Sequence, residues 1–267
     1  MRTLIKTALA LLVLSVLLVG VSFNILRAQD LGVHDTPGRL MAKEERPVKA
    51  EVTVIRLEGA IDLVLKQGPT PALTVHAEQR LLSNIVTTVE GNTLRISSKG
   101  LIVNSRKPMR VELSLPSLQQ IQVLGSGDAK VSGFSGEAIE LSLNGSGDVQ
   151  FNGSYQRVTG KLAGSGDLKL DAGTSENVNL ELLGSGDVQA SGACKLLTAK
   201  ITGSGDLHTA GLQADSVAIS VMGSGDAKVF AKNSAIINIM GSGNVHVAGK
   251  PTERIIRKQG SGDSSWE

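Results

Sequence analysis

The chain has 267 residues, 41% of them hydrophobic, yet it holds only four Phe, one Tyr and one Trp, so any core is built from Val, Leu and Ile. Its 27 basic and 25 acidic residues leave a net charge of +2, which excludes the basic, aromatic-studded surface that nucleic acid demands. Cys194 is the single cysteine, which excludes an intramolecular disulfide and reads as a small buried or turn residue.

At the N-terminus, Arg2 and Lys6 precede an apolar run from Ala8 to Val21 that only Ser15 and Gly20 interrupt. That layout predicts a hydrophobic helix over residues 1–28, acting as a secretory signal or as a membrane anchor. Gly20-Val21-Ser22 offers a small-x-small cleavage site, and Ala28 a poorer one. Extended through Leu26, the run reaches about 20 residues, enough to span a bilayer. The short central apolar region favours the cleaved signal. No cysteine lies nearby, so a lipoprotein is excluded. Residues 29–47, with Pro37, Gly38 and Pro47 and no apolar period, read as a linker.

From residue 48 to 124 the pattern has period two, the mark of half-buried strands. Val52, Val54 and Leu57 are assigned to one strand, Ile61, Leu63 and Leu65 to the next, and Leu73, Val75 and Ala77 to a third. Gln79–Ser83 is expected to form a helical turn. Residues 85–89 and 94–96 flank the turn Glu90-Gly91-Asn92, and Val111, Leu113 and Leu115 alternate up to Pro116. His76 falls on the polar phase, which predicts exposure rather than metal binding.

Residues 125–262 are an array. Gly-Ser-Gly-Asp starts at Gly125, Gly145, Gly164, Gly184, Gly203, Gly223, Gly241 and Gly260, at spacings of 20, 19, 20, 19, 20, 18 and 19 residues, and only Asn244 replaces the aspartate. Before each quartet, alternate positions are mostly apolar, as in Ile139, Leu141 and Leu143 or Val217, Ile219 and Val221. After each aspartate the first and third residues are mostly apolar. The second is polar throughout: Lys130, Gln150, Lys169, Gln189, His208, Lys228 and His246. Each repeat is therefore two short strands, a fixed turn and a variable turn. One repeat cannot cover its own apolar face, so neighbours must stack. The expected fold is all-β, a parallel β-helix-like solenoid of about seven coils, whose seven steps of ~4.8 Å give a column of roughly 34 Å. Arg254, Ile256 and Lys258 take the inward phases of the last repeat, a polar cap against edge pairing, and residues 263–267 read as a loose tail.

The segments Glu58-Gly59-Ala60-Ile61-Asp62-Leu63-Val64-Leu65-Lys66-Gln67-Gly68, Gly91-Asn92-Thr93-Leu94-Arg95-Ile96 and Leu115-Pro116-Ser117-Leu118, the last leading into Leu124-Gly125-Ser126-Gly127, resemble the head GIN domain family of auto-transporter adhesins, known also as domain of unknown function 2807. The resemblance covers about residues 48–262. It implies a right-handed β-helix-like domain exported to a bacterial envelope, in the periplasm or at the cell surface, with no catalytic residues to carry over. An auto-transporter needs its own membrane barrel after the passenger, and the sequence ends soon after the array, so self-translocation is not expected.

The best candidate for chemistry is the aspartate column, Asp128, Asp148, Asp167, Asp187, Asp206, Asp226 and Asp263, the first six forming the candidate calcium corner. Stacked like charges repel by about 1 kcal/mol per neighbour even in water. Compensation comes from hydrogen bonds at the turn, from Lys130, Lys169 and Lys228 two positions on, or from bound calcium. The structural reading is preferred to calcium, because Gly-Gly-x-Gly-x-Asp rolls place their loop every nine residues. The glycines Gly125, Gly127, Gly145, Gly147, Gly164, Gly166, Gly184, Gly186, Gly203, Gly205, Gly223, Gly225, Gly241 and Gly243 are assigned to structural turns with close backbone approach. None belongs to a nucleotide loop. His208 and His246 lie two steps apart, about 9.6 Å, too far for one metal ion. The expected function is a non-catalytic, cofactor-free scaffold that presents repeated Lys, Gln, Thr and Ser to a glycan or envelope protein, touching membrane only through its N-terminus. A polysaccharide-acting enzyme on the same scaffold, or a structural spacer, is the alternative.

Overall fold

A computed structural model describes residues 38–100 and 107–267, and the expected signal or anchor lies outside the described residues. Residues 41–267 pack as one unit. Among the described residues no helix is long and apolar enough to cross a membrane.

The strands run in chain order as β1 (Met41–Arg46), β2 (Val54–Gly59), β3 (Ile61–Gln67), β4 (Ala72–Glu78), β5 (Ile85–Glu90), β6 (Thr93–Ser98), β7 (Met109–Leu115) and β8 (Gln120–Gly125). Then come the long bent strands β9 (Ala129–Gly145), β10 (Val149–Gly164), β11 (Leu168–Gly184), β12 (Val188–Gly203), β13 (Leu207–Gly223) and β14 (Ala227–Gly241), followed by β15 (Val245–Ala248), β16 (Glu253–Gly260) and β17 (Ser264–Trp266). Gln79–Asn84 is a 3₁₀ turn, at the place where the sequence predicts one.

Every pairing in the array is parallel, quartet upon quartet: Gly145 faces Gly164, Gly164 faces Gly184, and so on to Gly260. The expected β-solenoid is thus the observed fold. Alternation sends Val149, Phe151, Val158 and Leu162 of β10 into one continuous core, with equivalents in every coil. Register breaks between the two arms, for example at Asn152/Arg157 between β10 and β11, mark the variable turn. Inward polar groups there are satisfied by backbone: the Ser175 hydroxyl donates to Tyr155 O at 2.7 Å, and the Tyr155 hydroxyl to Leu118 O at 2.7 Å.

The solenoid starts earlier than the repeat spelling. β2 pairs in parallel with β8, setting Gly59 on Gly125, and β3 pairs with the first arm of β9, setting Leu63 on Ala129. Gly59–Asp62 is therefore a further corner. Beneath it β6 pairs with β2, and β7 with β3, to make one more level. Glu58 ties these levels through Arg95 at 2.6 Å and also binds Arg56 at 2.7 Å, which holds its carboxyl below the usual carboxylate range, Arg95 contributing most. This end is closed by antiparallel strands, β5 on β6, β4 on β7 and β1 on β4. Covering the last parallel edge this way blocks pairing with other chains.

Three expectations need correction. The linker is shorter than residues 29–47, because Met41–Arg46 is a strand; Arg46 locks it by donating to Ile85 O at 2.6 Å and Leu82 O at 2.9 Å. In β2 the inward residues are Ile55 and Leu57, while Val54 takes the other phase. Residues 263–267 are not a loose tail: β17 pairs with β15, and the Arg254 guanidinium lies 4.5 Å from the centre of the Trp266 ring. That stacking gives the polar cap an aromatic lid.

Candidate functional site

Each corner of the array is built by two glycines, both set against a backbone carbonyl of the coil below, and the first also needs a positive φ. Gly145 has φ +148° and Gly164 φ +135°, a region that L side chains avoid. Gly147 and Gly166 need no such φ, but a Cβ on either would overlap the carbonyl of the second glycine one coil below. The stacked backbones touch there. Backbone bonds then run both ways: Ser165 N donates to Gly145 O at 3.0 Å, and Val149 N to Asp167 O at 2.9 Å.

The aspartates stand in one file, as expected, and the structure supplies a compensation the sequence reading did not specify. The backbone N–H of each aspartate donates to Oδ1 of the aspartate one coil earlier: Asp148 to Asp128 at 2.9 Å, Asp167 to Asp148 at 3.2 Å, Asp187 to Asp167 at 3.2 Å, Asp206 to Asp187 at 3.0 Å and Asp226 to Asp206 at 2.8 Å. Asn244 N continues the ladder onto Asp226 at 2.7 Å, and Asn244 Nδ2 adds a second bond at 3.0 Å. Asp62, overlooked in the sequence, starts it by accepting from Asp128 N at 3.2 Å. The signal was there: Gly59 and Asp62 keep the quartet's spacing, but Ile61 replaces its second glycine. Asp263 ends the file, its carboxyl held below the ordinary range by the Ser264 amide and then by Lys258 at 3.3 Å. Lys130, Lys169 and Lys228 form no ion pair with the column, contrary to one expected compensation. Among the described residues no group of three or more His, Cys, Asp or Glu is placed to hold a metal ion.

Beside the corner, the outward residue of the first arm makes its own file. Lys130 faces Gln150, Gln150 faces Lys169, then come Gln189 and His208. A parallel file, Ser132, Asn152, Asp171 and Ser191, runs alongside. The two files line a groove of about 650 Å³. Its one carboxylate among the lining residues, Asp171, is held on both oxygens, by Asn152 Nδ2 at 2.9 Å and Gly173 N at 3.1 Å.

The family model described as "Putative auto-transporter adhesin, head GIN domain" matches residues 51–251. The chain belongs to this family. None of the curated proteins matches it. Among solved structures, a "Putative lipid binding protein" from Parabacteroides distasonis is 25% identical with a TM-score of 0.78, over 85% of this chain and 96% of that one. A "putative adhesin" from the same organism is 22% identical with a TM-score of 0.79, over 85% and 97%. Another from Bacteroides fragilis is 22% identical with a TM-score of 0.67, over 86% and 99%. The two adhesins share the fold with this head GIN chain.

The remaining singled-out residues stay apart from one another. His208 and His246 are separated by the level of Lys228. His246 contacts Ser265 Oγ at 2.9 Å and Glu267 Oε2 at 3.2 Å. His76 Nε2 lies 3.5 Å from Glu112 Oε2 and makes no hydrogen bond. Cys194 is buried, and burial, helped by Asp215, pushes its thiol up to about 11, away from reactivity at neutral pH.

Proposed function

We propose that this head GIN protein is a non-catalytic interaction scaffold of adhesin type, exported to the bacterial envelope, in the periplasm or at the cell surface. The observation that carries the reading is the in-register file of outward polar side chains from Lys130 to His208 along a groove. Identical spacing turns weak single contacts into avidity for a partner that also repeats. The family description and the adhesin-named neighbours support the same reading. Glycosidic hydrolysis by paired acids needs two carboxyl groups flanking the bond. Asp171 stands alone in the groove lining, which favours binding over cleavage.

The test is a glycan array and an envelope pull-down with the folded protein, alongside intact mass of the exported form to separate a cleaved signal from an anchor. Retention of a glycan or envelope component without turnover is the expected result. A folded protein that retains neither refutes the scaffold reading, and release of shortened saccharide refutes its non-catalytic character.

A further inference from the structure

We infer that the groove binds a linear anionic polysaccharide whose charge recurs at every second sugar, an inference that rests on the scaffold reading above and narrows it. The argument starts from the order of charges in the first file. Within the groove, exposed Lys130 and Lys169 are separated by exposed Gln150, so their two ammonium groups stand two levels apart, about 9.6 Å at 4.8 Å per level. Among the described residues these lysines have no carboxylate partner within ion-pair distance. Their donors are therefore free for an outside anion. The glutamine amides donate and accept at once, which suits hydroxyl groups, and Asn152 and the serines of the second file extend the same chemistry across the groove.

The two-level spacing of this lysine pair separates the ligand from other polyanions. A polymer of alternating acidic and neutral sugars carries its carboxylates once per disaccharide, in step with that spacing. An extended acidic peptide repeats same-side groups every ~6.8 Å, out of step with the lysines. Single-stranded nucleic acid binds by stacking bases on aromatic side chains, and the one Phe, Tyr or Trp lining the groove, Phe151, is buried with its neighbours in the core, which leaves His208 as the lone accessible ring. Asp171, with both oxygens already bonded, is a carboxylate that such a polymer must pass.

The experiment titrates the full chain with four probes: hyaluronan, which has one carboxylate per disaccharide, neutral dextran, polyglutamate and oligothymidylate. Hyaluronan is expected to bind and dextran not to, with affinity falling at high salt as exposed charges are screened. Lys130→Gln with Lys169→Gln should weaken binding about tenfold through lost multivalent contacts, with an unchanged unfolding midpoint because both side chains are exposed. Asp171→Asn should strengthen it. Equal binding of dextran, tighter binding of polyglutamate or oligothymidylate, or undiminished binding by the double variant overturns the inference. If no probe binds while the glycan or envelope assay finds a partner, the groove assignment alone falls; if both are blank, the scaffold reading falls with it.

Discussion

At single residues, the corner sets the tolerance of the whole file. Both glycines are strict positions, because each faces a backbone carbonyl of the preceding coil and not a side chain that can turn aside, and the first also carries a positive φ. Gly186→Ala should therefore cost about 1–3 kcal/mol, as overpacking does, read as a lower denaturant midpoint. Ser185→Ala beside it, on an exposed side chain, should stay within about 0.5 kcal/mol. Equal midpoints for the two variants would mean that the coils are not in contact at this glycine. The aspartate is subtler, since it accepts the next coil's amide while repelling its neighbours. Asn244 shows the alternative within the same chain: its Oδ1 still accepts from Asp263 N at 3.0 Å, and its Nδ2 donates back to Asp226. Asp187→Asn should therefore stabilise by about 0.5–1 kcal/mol, less so in salt, whereas Asp187→Ala forfeits an acceptor and should fall about 1 kcal/mol below the Asn variant. Identical stabilities for Asn and Ala would remove the ladder as a source of stability.

At the level of elements, β10 is tied to the segment before β8 by the Tyr155 hydroxyl, which reaches Leu118 O from a buried ring beside Phe151. Burial raises this phenol from 10 to about 12. A raised acid is protonated in the fold at a pH where the unfolded chain has begun to ionise, so its stability contribution is complete below pH 10 and disappears as pH climbs through about 12. Two pKa units amount to roughly 3 kcal/mol between the protonation states. Tyr155 is the only tyrosine, so tyrosinate absorbance reports it alone. Ionisation near 12, coincident with loss of β structure, is expected, and ionisation near 10 in a folded chain would place the ring in water. The elements also show what could be read in advance. The array was legible because quartet and alternation agree in every repeat. The Gly59–Asp62 corner was not recognised, since Ile61 breaks the motif and β4 to β8 intervene before the next coil. β1 escaped because its exposed charged residues show no apolar period, and its anchor is one arginine binding carbonyls remote in sequence. In the groove, the polar file was visible from spacing, but its concavity and the capture of Asp171 depend on how the variable turn bends.

Across the whole molecule, strands of the array pair only with neighbouring coils, and the Tyr155 bond past β9 to Leu118 is a side-chain tie added to that ladder, so stability is close to a sum of coil and interface contributions. The corner strengthens that expectation, because backbone bonds and aspartate ladder are spelled alike from Gly125 to Gly225. Removing Val188–Asp206 joins Asp187 to Leu207, brings Leu207 onto Leu168, and lets Asp226 N find the Oδ1 of Asp187, as Asp206 N does now. The shortened chain should keep its parallel stack, its closed ends and a cooperative transition, with a lower unfolding free energy and an m-value reduced in proportion to the surface lost. It also removes Gln189 yet leaves Lys130 and Lys169 at their two-level spacing, so hyaluronan binding should survive with a modest loss of avidity. Circular dichroism, denaturant unfolding and titration on one preparation test this together. A deletion that unfolds the chain would show that coils are not interchangeable units. A folded deletion that no longer binds would show that the groove needs its full length, beyond the pair of lysines.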